Sequence, residues 1–188
     1  MSETTSGKPR DYMFCPFCAR TLETKLEEGK CRKYCRECNW TYYPTPPIGV
    51  SAIIPMIVGE EDGPCVLMVK RKREPYEGTW MFPAGFLEWG EHPEDTLRRD
   101  ALKEETGLTL VTSKLIRIDI AREDPRYPNH LVLFYRATAM GKIENNDPDE
   151  NSSVQWKSIY RPVDIGFPHH RIVFDDIVAF PTKYFGRF

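Results

Sequence analysis

Nothing near the start of the chain has the length and apolar character of a signal peptide or a membrane span. The first ten residues, MSETTSGKPR, are polar and read as a disordered tail. Charge of one sign is also missing. The formal net charge over 188 residues is −2, so no strong field draws the whole chain toward nucleic acid or an anionic membrane. Split at Pro47, the first part holds 8 Lys+Arg against 6 Asp+Glu, and the remainder 18 against 22. Even the more basic part is too weakly charged to argue for nucleic-acid binding. Histidine is scarce, with 4 in all, and His130, His169 and His170 have no second ligand at a diagnostic spacing. There is no internal repeat. These absences point to a soluble, cytoplasmic protein, and they place its six cysteines in a reducing compartment, where spaced pairs usually bind metal. With 40% hydrophobic and 29% charged residues the chain has the composition of a globular protein with a real core.

Four of the cysteines form two C-x-x-C pairs, Cys15-Pro-Phe-Cys18 and Cys35-Arg-Glu-Cys38, with 16 residues between them. Each pair can wrap one side of a tetrahedral ion, and the gap is long enough for a hairpin to return the second pair. This is the spacing of a four-cysteine zinc ribbon. So small a module has little core, and the metal would hold it folded. Four thiolates leave no position for substrate, so this Zn²⁺ is expected to be structural. Cys31 competes as a ligand, because it stands four residues before Cys35. Cys35 with Cys38 is preferred because it repeats the first pair. Cys65 falls in an expected strand and reads as a buried thiol.

The domain boundaries follow: a tail over 1–10, a zinc ribbon over 11–42, a stiff linker over 43–47 within YYPTPP, and a main domain over 48–188. In the main domain 48–58, 65–71, 114–121 and 131–139 read as strands, with a turn at 59–64. The Gly- and Pro-rich stretch 78–90 reads as short strand plus loop. A helix is expected over Pro93 to Glu105, with Pro93 in its first turn and Gly107 at its stop. Another is expected over 168–180. Strands, helix, strands, helix is the order of an α/β protein built as a mixed sandwich.

The chemistry concentrates in GFLEWGEHPEDTLRRDALKEETGL, from Gly85 to Leu108. A glycine-containing loop runs into a helix. The loop carries Glu88 and Glu91, and the helix carries Asp100, Glu104 and Glu105. Clustered carboxylates repel one another unless a cation sits among them. Hard oxygen ligands select Mg²⁺ or Mn²⁺, which bridge phosphate oxygens and activate water. The plainer reading is a solvated acidic helix balanced by Arg98, Arg99 and Lys103, and composition alone favours it.

The stretch resembles the Nudix box, G-x5-E-x7-R-E-U-x-E-E-x-G-U with U apolar. Gly85, Glu91 and Arg99 fall at the required spacing, Asp100 stands where the motif has its first helical Glu, and EETGL closes as the motif does. The preceding TWMFPAGFLEWGE resembles the family's approach to the box. The box is one residue too long between Arg99 and the paired acids. Counted from Gly85, these acids fall on Lys103 and Glu104; counted back from Gly107, they fall on Glu104 and Glu105. A surplus residue inside a helix can be absorbed as a π-bulge, which would let Asp100 face a metal together with Glu104 and Glu105.

The resemblance implies a Nudix α/β/α sandwich with a mixed sheet, preceded by the zinc ribbon. It implies a pyrophosphohydrolase that holds Mg²⁺ or Mn²⁺ on Asp100, Glu104 and Glu105. Arg99 would fix a box carboxylate by paired hydrogen bonds, and a carboxylate from the box or Glu150 would act as general base. Glu150 enters because DENSSVQW resembles the family's downstream segment; a solvated loop residue is as good a reading. Arg71, in the basic run 70–73, is the candidate for the diphosphate; such a run is more often a solvated strand end. The partner is a small nucleoside diphosphate derivative. Nucleic-acid and membrane partners are not expected, and a homodimer is allowed. Zinc ribbon, YPTPP and Nudix domain together resemble the NADH pyrophosphatases and a related set acting on ADP-ribose or FAD. The NADH group's SQPWPFP motif is absent from VTSKLIRIDIAREDPRYPNH, which leaves ADP-ribose, FAD or a related dinucleotide. The other class to weigh is a non-catalytic ligand sensor or interaction module that uses the ribbon for partner binding.

Overall fold

A computed structural model describes residues 12–58 and 63–186; the expected tail and most of the turn expected at 59–64 lie outside them. The contacts divide the chain into two compact units, Met1–Pro46 and Pro47–Phe188.

The first unit is a three-stranded antiparallel sheet of β1 (Glu23–Glu27), β2 (Lys30–Cys35) and β3 (Trp40–Thr41), in that spatial order. The β1–β2 hairpin turns through Glu28 and Gly29, both at positive φ (48° and 75°), the handedness that a two-residue hairpin turn requires. Each cysteine pair is followed by a residue at positive φ, Ala19 at 58° and Asn39 at 48°, which turns the chain back on itself. Little is buried here: Cys15, Leu22 and Cys35 form the core, with Cys18 and Trp40 packed against them.

The second unit holds two sheets. One has the order β8-β4-β10-β9, from β4 (Ile48–Ile53), β8 (Ala84–Phe86), β9 (Thr109–Ala121) and β10 (His130–Met140). β4 and β10 run parallel and the other pairs antiparallel, so this sheet is mixed. The other sheet has the order β11-β6-β5, from β5 (Pro55–Val58), β6 (Gly63–Arg71) and β11 (Asn151–Ser158), with β7 (Trp80–Met81) also paired to β6. The expected strand 48–58 is two strands. The chain changes sheets after Ile54, whose carbonyl accepts from the Leu67 N–H, and Pro55 opens the new strand where a missing N–H does no harm. β9 begins earlier than expected. It stays paired with β10 through two register shifts, and these blur the alternation that sequence reading relies on.

The helix expected from Pro93 divides. Residues Pro93–Thr96 form α1, capped by the His92 ring, which accepts from the Glu94 N–H. Leu97–Glu104 is then π-helical, and the Glu105 N–H reaches back to the carbonyl of Asp100, five residues earlier. Two later helices are α2 (Pro168–Ala179) and the short α3 (Pro181–Phe185).

Two cores hold these pieces. Ile53, Val66, Met68, Trp80, Phe82 and Phe134 pack with Val173, Phe174 and Ile177 of α2. Val50, Ala52, Leu67 and Tyr135 pack with Leu97, Ala101 and Leu102 of the π-helical segment. Burying a Leu-sized side chain contributes about 1.5–3 kcal/mol, so the apolar side of the acidic helix is anchored firmly while its other side carries the carboxylates.

Candidate active site

The box glycine explains itself in the structure. A Cβ on Gly85 would lie 1.7 Å from an Asp100 carboxylate oxygen and 2.5 Å from its Cβ, so only glycine lets the Asp100 side chain rest on the β8 backbone. One residue earlier, the Ala84 N–H donates to Glu105 at 2.8 Å, and the Asn151 amide reaches the other Glu105 oxygen at 3.4 Å. The π-helical turn is what brings Asp100 and Glu105, five apart, to the same strand. In a regular helix they would point roughly 140° apart.

Arg99 forks onto Glu91 with hydrogen bonds of 2.9 and 3.0 Å, and Thr96 and the Glu88 N–H complete that carboxylate's shell. The paired bonds from Arg99, then Thr96, hold Glu91 down to about 2. The same guanidinium stands 3.6 Å from both Asp100 and Glu104. Arg99 therefore ties the loop acid to the helix acids.

Negative charge is in excess here. Burial chiefly, with the charges of Glu104, Glu150 and Glu91, pushes Asp100 up to about 6 against the pull of Arg99. Burial pushes Glu105 well above the ordinary carboxylate range, although the Ala84 N–H and Asn151 favour its charged form and Asp100 and Glu150 oppose it. Glu104 remains half exposed. Hard oxygen donors close enough to act on one another's charge in a partly dry site fit a divalent cation such as Mg²⁺ or Mn²⁺, with Asp100, Glu104 and Glu105 as the residues that would hold it. Their oxygens are not drawn to mutual ligand distance. Among the described residues two other groups bring three or more ligand atoms within 4.8 Å of one another: Cys15, Cys18, Cys35 and Cys38, and the trio Asp124, His130 and His169.

The cysteine group fits zinc. Burial opposes ionisation of Cys15, but the N–H groups of Phe17 and Cys18 together with the Cys35 and Cys18 thiols outweigh it and bring the thiol to about 7. Cys18 and Cys35 lie 3.6 Å apart, and the exposed Cys31 is not in the group. Cys65 is buried in β6.

Glu150 is close enough for its charge to act on both Asp100 and Glu105, and it is steadied by Arg73 at 3.5 Å. Arg71 sits beside the site but is turned inward. Its Nε donates to the Pro75 carbonyl at 2.7 Å, its Nη2 to that of Arg73 at 3.1 Å, and its guanidinium lies over Phe167. Sequence reasoning missed the Ala84 amide and Asn151. The first is backbone and carries no sequence signal. The second stands 46 residues from Glu105, joined to it only by the fold.

A family model described as NUDIX domain matches residues 47–174. The ADP-ribose pyrophosphatase of Methanocaldococcus jannaschii is 28% identical over 134 residues, 71% of this chain and 74% of that protein. The ADP-ribose pyrophosphatase of Bacillus subtilis is 32% identical over 63% of this chain and 64% of its own length. The human NAD-capped RNA hydrolase NUDT12 is 29% identical over 82% of this chain, which spans only 32% of that longer protein. In structure, a NUDIX hydrolase from Nitrosomonas europaea superposes with a TM-score of 0.66 over 94% of both chains at 23% identity, a likeness of fold. The chain belongs to the NUDIX family and is a Nudix hydrolase. No helix among the described residues is long and apolar enough to cross a membrane.

Proposed function

We propose that this hydrolase cleaves the diphosphate linkage of a nucleoside diphosphate derivative of the ADP-ribose, FAD or NAD(H)-like class, releasing two phosphate monoesters. The observation that carries this is the π-helical turn, which sets Asp100 and Glu105 together against the Ala84–Gly85 backbone, beside Glu104 and within reach of Glu150. A bound Mg²⁺ or Mn²⁺ supplies charge neutralisation of the diphosphate and a lowered pKa for an attacking water. The chain's own residues do the rest. Asp100, Glu104 and Glu105 bind the cation, and Arg99 fixes Glu91 and the helix acids in position. Glu150, exposed and near the acids, is placed to take a proton from water. Arg71 contributes positive charge beside the acids while its N–H groups brace the 73–75 segment. The names of the first two relatives favour ADP-ribose, and the missing SQPWPFP motif speaks against NADH.

The test is a panel of ADP-ribose, FAD and NADH with Mg²⁺ or Mn²⁺, run on the wild type and on Glu104→Gln. The substitution keeps size and removes charge. Loss of a metal ligand should cost on the order of a thousandfold in rate. Turnover of none of the compounds, or a Glu104→Gln variant that keeps most of its activity at saturating Mg²⁺, would sink the assignment.

A further inference from the structure

A second cluster of titratable side chains stands apart from the helix acids. Asp124, His130 and His169 are all buried, and each offers a ligand atom within 4.8 Å of the others. The trio has the composition of a metal site, but its carboxylate is already committed. Asp124 accepts Arg126 Nε at 3.1 Å and the Arg126 backbone N–H at 2.9 Å on one oxygen, and Arg126 Nη2 at 2.9 Å on the other. His130 Nδ1 lies 2.8 Å from the Tyr127 carbonyl, so that nitrogen donates. A cation among these three would face a guanidinium held on the same carboxylate, with little water to screen the two charges. The buried group instead has the arrangement of a mount for Arg126.

What it mounts is a fixed guanidinium. The Arg126 head lies 5.7 Å from the centre of the Phe86 ring and 4.8 Å from that of Phe167, which also carries Arg71 at 5.1 Å. Its Nε–Nη2 edge is taken by Asp124. Nη1 donates to no residue among those described, and 35% of the side chain is exposed. One edge is therefore held, and the adjoining Nη1–Nη2 edge keeps one coplanar N–H on each nitrogen, the fork that matches two oxygens of one phosphoryl group. The place is informative too. Phe86 follows Gly85, against which Asp100 rests, and the charges of Arg126, Glu150 and Glu105 all reach Arg71.

We propose that Arg126 is a substrate-binding residue of this active site, its outer guanidinium edge taking the oxygens of a phosphoryl group in the diphosphate. The inference rests on the hydrolase reading above. Asp124 is the positioning residue, with His130 and His169 packed around it. Both sides of the Arg126–Asp124 pair fall outside the box, which is why the motif gives no sign of them.

The test titrates α,β-methylene-ADP with Mg²⁺ into the full chain by calorimetry, and measures KM and kcat on the best substrate of the panel. Arg126→Gln should weaken the analogue at least tenfold and raise KM by a similar factor, and Arg126→Lys, a single point charge, should fall between. Because Arg126→Gln leaves a buried carboxylate unpaired, the double variant Asp124→Asn/Arg126→Gln is measured beside it, with a thermal melt for each, and should show the same loss of binding. An unchanged Kd in the double variant overturns the proposal while leaving the hydrolase reading intact, provided that Glu104→Gln abolishes turnover. A wild type that neither binds the analogue nor turns over the panel overturns both. A further metal ion, beyond those of the four cysteines and of Asp100, Glu104 and Glu105, that is lost in His130→Asn would also overturn it, by making the trio a metal site.

Discussion

Asp100 shows how a single side chain carries functional strain. Most of its influences favour the protonated form, burial first, and its carboxyl is raised from 3.8 to about 6. The sign of the consequence is fixed by linkage. A carboxyl with a raised folded pKa binds its proton more tightly in the folded state, so folding stability falls as pH rises from about 4 to 6 and stays lower above that. Asp100→Asn removes the titration. In Mg²⁺-free buffer the variant should be the more stable protein at pH 8, by about 1–2 kcal/mol after allowing for partial exposure, with the gap shrinking toward pH 4. Saturating Mg²⁺ should narrow the gap at pH 8 by stabilising the wild type alone. Urea unfolding at both pH values measures it, and an equal gap at each would count against the charged, crowded site described here. The type and place of Asp100 were legible in the sequence, because the motif fixes Gly85, Glu91 and Arg99 around it. Its burial against glycine was not, since that depends on how closely β8 approaches the helix.

At the scale of elements, the box helix is where sequence and structure meet most usefully. The motif matches from both ends and disagrees by one residue in the middle. A regular helix satisfies only one of the two counts, and a π-helical turn satisfies both. The structure has the π-helical turn over Leu97–Glu104. Ala101 is fully buried there, between core residues Leu97 and Leu102. Deleting it leaves Asp100-Leu-Lys-Glu-Glu-Thr-Gly, which fits the motif with no surplus, and Leu102 then takes the buried place. The shortened protein should bind Mn²⁺ within about tenfold of the wild type, at a stability cost of about 1–3 kcal/mol for the overpacked position. Paramagnetic relaxation of water by Mn²⁺ reads this directly. A deletion variant that folds but no longer binds Mn²⁺ would mean that the wider turn itself builds the site. Other elements were less legible. The sheet change after Ile54 hides inside an unbroken apolar run, IGVSAIIPMIV, whose composition suits either sheet. The first residues of β9 hide because irregular pairing with β10 removes the alternation.

Across the whole molecule, the two units differ in what can hold them together. The Pro47–Phe188 unit buries two apolar clusters, whereas the Met1–Pro46 unit buries Cys15, Leu22 and Cys35 and little else. An apolar core that small falls short of the entropy of ordering some thirty residues, at about 1–2 kcal/mol for each backbone. Four cysteine sulfurs already gathered within 4.8 Å offer a further source of stability, and zinc binding to such a set supplies about 10–16 kcal/mol at neutral pH. The chain purified without chelator should therefore carry one zinc ion. Stripping it under reducing conditions should expose the amides of Lys30–Cys35 to rapid hydrogen exchange, while those of His130–Met140 in the other unit stay protected. Cys35→Ser should reproduce the loss, and Cys31→Ser should not, because Cys31 is exposed and apart from the gathered sulfurs. Zinc-free protein with protected β2 amides, or zinc lost through Cys31→Ser, would show that the first unit is held by something other than these four thiolates.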